Sequence, residues 1–329
     1  MQRVLSGVQP SGSLHLGNLV GAIENFVSLQ NSFEAFYMIA DWHALTSKAE
    51  SSADIWPSSL EVTATFLAAG LDPAKATLFS QSLVKEHAEL HLLFSMMTPL
   101  SWLERVPTYK EKLQNAVADL GSYGFLGYPL LQAADIVIYK AHKVPVGEDQ
   151  LFHLELTREV VRRFHFLYQT EVFPEPEAAL TKFPKVPGMD GRKMSKSYEN
   201  CIYLRDTPDV ILQKCTRQMA SDTSRVRKTD PGNPEVCPVF EFHKLFSTAE
   251  TVEMVNSECR KAGIGCFDCK KRLSEALVER LEPTRQRIEA NLATPKMLEE
   301  VLRDGSARAR KVAAATMEDV RAAMKLPCL

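Results

Sequence analysis

"RVLSGVQPSGSLHLGNLVGAIENFVSL", residues 3–29, reads as a strand, a turn and a helix in succession. RVLSGV is a short apolar run that stops in a Gly/Pro/Ser turn. Beyond the turn Leu16, Leu19, Val20, Ile23, Phe26 and Val27 recur with a helical period. The same alternation continues outward. FEAFYMIAD (33–41) and ATLFSQS (76–82) read as strands, and the stretch 51–70 reads as a helix ended by Gly70. Residues 86–97 and 128–142 read as helices, and 144–164 as a short strand or loop turning helical at about Glu148. Strands alternating with helices imply a parallel sheet, so the spacing predicts an α/β, Rossmann-like doubly wound fold.

KFPKVPGMDGRKMSKSYEN (182–200) breaks the pattern with Pro184, Pro187, Gly188 and Gly191 and reads as a long surface loop. Beyond residue 205 nearly everything is helical. The chain is therefore expected to divide near residue 200 into a Rossmann-like domain, 1–200, and an all-helical C-terminal domain, 201–329.

Composition narrows the class. The chain has 329 residues, 45% hydrophobic and 24% charged, with a net charge of −2. No apolar run reaches eighteen residues, so no membrane span is expected. The start, MQRVLSGVQP, lacks a signal-peptide core, which points to the cytoplasm. Thiols stay reduced there, so the seven cysteines are read as buried residues, ligands or catalytic groups.

Two fragments carry chemistry. In open α/β sheets ligands lie beyond the carboxyl ends of the strands. GVQPSGSLHLGN (7–18) sits at such an end, where glycines admit close backbone approach and a helix start favours phosphate. His15 and Asn18, three apart, share one side of the first turn. Alone, this fragment equally describes a polar helix start with a stray histidine. GRKMSKS (191–197) sets Lys193 and Lys196 on a glycine-bounded loop, able to close on developing negative charge. Alone, it equally describes a solvated basic loop.

HLGN followed by KMSKS resembles the paired signatures of class I aminoacyl-tRNA synthetases. Asn18 replaces the usual final histidine of the first signature, as in the bacterial tryptophanyl branch. ADWHALT, YPLLQAADIVIY, VPVGEDQLFHLELTREVVRRF and GMDGRKMSKS are similar to blocks of that branch as well. The resemblance implies activation of L-tryptophan by ATP with Mg²⁺, then transfer to tRNA(Trp). It implies catalytic roles for His15, Asn18, Lys193 and Lys196. ATP contacts are implied for Gln9, Pro10, Ser11, Gly17, Asn18, Gly147, Glu148, Asp149, Val186, Lys193, Met194, Ser195, Lys196 and Ser197. An acidic helix cap remains an alternative for Glu148. A homodimer is also implied. A tyrosyl-type enzyme shares the fold and stays open, as do a small-molecule adenylyltransferase and a non-catalytic tRNA- or tryptophan-binding paralogue.

The amino acid is legible in YPLLQAADIVIYK. Asp135 lies inside an apolar helix, and a buried carboxylate is costly unless it is paired. Tyr128, Gln132 and Asp135 share one helical face, giving an aromatic wall, an amide and an acceptor. An indole needs an apolar slot and one acceptor for its N–H, and such a site rejects phenylalanine. An Asp bonded to backbone or arginine reads the same without the other blocks. The resemblance gives Asp135 the indole contact and adds His43 and Gln150. Leu5 and Gln132 stand where the family varies.

Cys237, Cys259, Cys266 and Cys269 form C-x21-C-x6-C-x2-C among helices, outside any redox context. Four soft thiolates suit iron–sulfur or zinc, and unliganded core cysteines are the remaining reading. A subset of the resembled branch carries a [4Fe-4S] site with nearly this spacing. The run Arg308, Arg310, Lys311 and the run Lys270, Lys271, Arg272 suit phosphate contacts or plain solvated helix faces alike.

Overall fold

The computed structural model describes residues 1–107, 122–147, 150–180 and 186–327. They form two compact units. One comprises Met1–Gly12, Asn25–Lys182 and Thr294–Leu329; the other comprises Ser13–Glu24 and Phe183–Ala293.

The first unit is built on five parallel strands, β1 (Arg3–Val8), β2 (Glu34–Ile39), β3 (Ala76–Ser80), β4 (Lys143–Val146) and β5 (Glu177–Leu180), in the order β3-β2-β1-β4-β5. The order reverses direction between β1 and β4. That is the topological switch point, where the crevice of a doubly wound sheet opens. Central strands pack on both faces, which is why β2 is an apolar run, buried from Ala35 to Ile39. The helix Ile55–Ala69 ends as expected at Gly70, whose φ of 109° is a left-handed cap open to glycine. β5 is an addition to the sequence reading. It is a four-residue edge strand with two alanines, too short to show alternation.

The expected break at residue 200 is not where these units divide. The last helix, Pro295–Ala323, belongs to the first unit. Its Ala309, Ala313, Met317 and Val320 are buried in one core with Phe36, Phe79, Phe94 and Tyr139. Gly305 makes the approach possible: a Cβ there would lie 1.7 Å from the Leu78 carbonyl oxygen. Ser306 then accepts from the Ser80 N–H at 3.2 Å. Two residues of the basic run take part in this docking. Arg308 donates to the Pro73 carbonyl at 2.8 Å, and Arg310 pairs with Glu86 at 2.9 Å.

The second unit is mostly helical. Its long helix Cys266–Leu292 anchors the segment after KMSKS through Arg205–Glu289 at 2.8 Å. Lys270 is buried and donates to the Met219 carbonyl, so it serves the packing.

Candidate active site

Within the first unit, Asp135 is 1% exposed on the helix Tyr123–Ile138. Its carboxylate is surrounded by donors. His43 Nε2 lies 2.7 Å from Oδ2, and His87 Nδ1 lies 2.7 Å from Oδ1. The Gln81 amide donates to both oxygens, at 2.8 and 2.9 Å. Burial pushes the Asp135 pKa upward, but bonds from His43 and His87 overcome it and hold the acid below its usual range. The group is therefore an anion, acceptor-only, on an apolar helix.

Tyr128 is buried about two turns earlier on the same helix, with its hydroxyl 3.1 Å from His153 Nε2. Gln132 is half-buried on the same helix, and Gln150 caps the helix Leu151–Tyr168. His43 sits in the first turn of the helix Asp41–Lys48, beyond the strand end where the sequence placed it. Gln81, His87 and Tyr139 complete the carboxylate's surroundings, and sequence reading missed all three. They lie at a strand exit, a helix start and a helix end, positions with no periodic signal. Asp41, equally buried, is a structural clamp: it accepts from Ser80 Oγ at 2.6 Å and from the Ser82 N–H at 2.9 Å.

Of the nucleotide candidates in this unit, Gln9 and Ser11 follow β1, with Pro10 buried between them, and Gly147 follows β4. They stand at the two strands that flank the switch point. Glu148 and Asp149 lie outside the described residues.

Within the second unit the two signatures meet. His15 forms an antiparallel bridge with Tyr203, Leu16 N–H donates to the Ile202 carbonyl at 2.9 Å, and Leu204 N–H donates to the Leu14 carbonyl at 3.0 Å. This short pairing lays HLGN beside the segment that leaves KMSKS. A Cβ at Gly17 would crowd the His15 ring at 3.1 Å and touch Met194 at 3.7 Å. Asn18 Oδ1 accepts from the His15 backbone N–H at 3.0 Å, fixing the turn. His15 Nδ1 is buried with no partner among the described residues. Burial, and secondly the Lys196 ammonium, bring the His15 pKa down to about 4, so the ring is neutral at physiological pH.

The signature loop is held from behind by Asn200, 3% exposed. Its Oδ1 accepts from the Ser195 N–H at 2.8 Å, and its Nδ2 donates to Asp190 at 2.7 Å and to the Lys193 carbonyl at 3.2 Å. Pro187 and Lys193 form a second bridge. Val186 and Met194 are buried, Ser195 and Lys196 half-buried, and Lys193 and Ser197 exposed. A neutral imidazole, a helix start and two ammonium groups are groups whose chemistry can complement a polyphosphate.

The four cysteines gather at helix ends of the same unit. Cys237 caps the helix Pro238–Phe246, Cys259 lies in the last turn of Ala249–Arg260, and Cys266 and Cys269 occupy the first turn of Cys266–Leu292. A Cβ at Gly232 would fall 2.5 Å from Cys259 Sγ, and Cys269 Sγ lies 3.5 Å from His243 Nε2. Burial, then the charges of Cys237, Cys259 and Cys266, push Cys269 up to about 12, so the four thiols feel one another. Among the described residues no three His, Cys, Asp or Glu side chains are arranged to hold a single metal ion. Among them, too, no helix is long and apolar enough to cross a membrane.

A parallel doubly wound sheet with paired HxGN and KMSKS elements defines a class I tRNA synthetase, and the chain belongs to that family. The family model for class I tRNA synthetases of the W and Y type matches residues 1–282. Within it the chain falls among the bacterial tryptophan–tRNA ligases. It is 52% identical to the tryptophan–tRNA ligase of Thermotoga maritima, with 98% of this chain and 99% of that one covered. It is 42% identical to the Aquifex aeolicus ligase, with 99% and 100% covered. Its fold matches the tryptophanyl-tRNA synthetase of Campylobacter jejuni, solved with ADP and tryptophan, at a TM-score of 0.90 and 34% identity over 99% and 100% of the two chains.

Proposed function

We propose that this tryptophan–tRNA ligase recognises its amino acid through Asp135 and its ATP through the paired signatures. The observation that carries the first half is the buried Asp135 anion, ringed by His43, Gln81 and His87. Tyr128, Gln132, His43 and Gln150 shape the rest of the tryptophan slot. A carboxylate accepts the indole N–H, and a phenyl ring offers no donor in exchange.

In the second unit His15, Gly17 and Asn18 take the ATP phosphates together with Lys193, Ser195 and Lys196; Val186, Met194 and Ser197 frame them. His15 serves as a neutral donor. Gln9, Pro10, Ser11 and Gly147 add nucleotide contacts at the sheet's switch point. The tryptophan carboxylate oxygen bonds to the α-phosphorus as the bond to the pyrophosphate oxygen breaks. The lysines hold the charge that builds on the leaving pyrophosphate, so catalysis rests on positioning and electrostatics. Mg²⁺ enters bound to the phosphates of the nucleotide. In the second step a terminal ribose hydroxyl of tRNA(Trp) attacks the activated carbonyl and AMP leaves. Lys193→Ala and Lys196→Ala test the assignment. Each lowers pyrophosphate exchange by roughly 100-fold with tryptophan affinity unchanged; equal exchange rates would remove the lysines from the site.

The four cysteines are read as ligands of a [4Fe-4S] cluster, with zinc as the alternative. Two of the three helix ends that carry them are N-termini, whose dipole favours thiolate, although burial outweighs it at Cys269. The C-x21-C-x6-C-x2-C spacing, nearly that of the [4Fe-4S] subset the sequence resembles, favours the cluster. The raised Cys269 means loading must expel protons. When bound, the cluster supplies a structural crosslink between helices near exposed Arg227, Lys228, Lys261, Lys271 and Arg272. Those cations suit the backbone of the tRNA anticodon arm. Exposed Leu92, Met96, Leu100, Tyr123 and Phe152 on the first unit support a homodimer that covers them.

A further inference from the structure

We propose that His87 and Tyr139, which cannot touch substrate, set the preference for an indole by holding the Asp135 carboxylate as a fixed acceptor. Both are 0% exposed. Asp135 and Tyr139 stand one helical turn apart, and His87 is clamped between them. Its Nδ1 is 2.7 Å from Asp135 Oδ1 and its Nε2 is 2.7 Å from the Tyr139 hydroxyl. An ionised carboxylate only accepts, so His87 Nδ1 carries the proton. In the neutral ring Nε2 is then an acceptor, and the Tyr139 hydroxyl donates to it. One tautomer follows from the network.

The aromatic neighbours lock this arrangement. Phe36 stacks on Tyr139 with centroids 4.8 Å apart, and Phe79 stacks on His87 at 6.2 Å. A carboxylate alone turns readily, because its terminal torsion is broad and two-fold. Here His87 fixes one oxygen, His43 the other, and Gln81 bridges both. Fixing matters for selectivity. Tyrosine also carries a donor, but at a different reach from the backbone, and a carboxylate free to turn could follow it. A carboxylate held from behind rewards only a donor placed where the indole N–H falls. His87 and Tyr139 are therefore positioning residues; this inference rests on the reading of Asp135 as the indole acceptor.

The test uses the full chain and pyrophosphate exchange with L-tryptophan, L-tyrosine and the tryptophan analogue whose ring N–H is replaced by sulfur. His87→Leu is expected to cut the preference for tryptophan over the sulfur analogue by roughly 10- to 100-fold and to narrow the gap to tyrosine. His87→Asn, whose amide can reach the Nδ1 position, restores most of the preference. Tyr139→Phe removes one hydroxyl from an otherwise intact core and gives a smaller loss in the same direction. Equal losses for tryptophan and the sulfur analogue in His87→Leu and Tyr139→Phe would overturn the proposal, since a purely structural role lowers both alike. Asp135→Ala separates the underlying reading: an unchanged preference there removes the acceptor itself, whatever the His87 variants do.

Discussion

His15 and Tyr203 pair as an isolated antiparallel bridge, and this contact joins the two signatures of the sequence within one unit. HLGN and the exit of KMSKS are far apart in the chain. Two backbone hydrogen bonds beside the bridge, at Leu16 and Leu204, hold them together. The pairing leaves the His15 ring half-buried, with its Nδ1 enclosed, and near Lys196.

That placement fixes a pH behaviour. The unfolded chain takes up a proton on His15 near 6.5, and the folded chain does so only near 4. Between those values the unfolded state binds more protons. Stability from this residue is therefore complete above about 6.5 and declines as pH falls towards 4. Urea midpoints of the parent chain should fall across this window, and His15→Gln should fall less. In the same comparison, exchange by the parent should show no step near 6.5 arising from His15, because the ring acts neutral.

Asp135→Asn keeps the shape of the tryptophan slot and removes the anion. A hydrogen bond to a charged group contributes about 1.5–3 kcal/mol. KM for tryptophan should rise accordingly, with KM for ATP within about twofold of the parent. Steady-state exchange with each substrate varied in turn measures the split. A matched rise in both constants would remove Asp135 from amino-acid recognition.

Much of this was legible beforehand. β1, β2 and β3 announce themselves as apolar runs bounded by turns, and Gly70 ends its helix as its position implies. Asp135 stands out because a carboxylate in an apolar helix needs partners. Two of those partners do not stand out: Gln81 and His87 come from separate elements, and only the fold brings them to one anion. The last helix misleads for a related reason. Its basic residues read as phosphate contacts or a solvated helix face alike. Its small side chains are in fact what lets it press on β3, and Arg308 and Arg310 bind the first unit's own carbonyls and carboxylate.

Gly305→Val tests that docking. Its side chain would meet the Leu78 carbonyl, a backbone atom that cannot swing aside. Overpacking of this kind costs about 3 kcal/mol or more. Urea unfolding should show the loss, and a variant as stable as the parent would mean the helix does not rest on β3.

Anaerobically purified protein should be brown, absorb near 400 nm, and hold about four irons per chain. Cys266→Ser should remove the colour and leave tryptophan activation within a few-fold, since no cysteine takes part in adenylation. Colourless protein with one zinc per chain would replace the cluster with the alternative.

The central claim is a tryptophan–tRNA ligase built on an indole-reading carboxylate. Exchange of labelled pyrophosphate into ATP, with tryptophan and tyrosine compared on the same preparation, tests it most directly. The account predicts exchange that depends on tryptophan and on Asp135, with tyrosine weaker by a large factor. Exchange supported equally by tyrosine, or absent with tryptophan in folded protein, would contradict it.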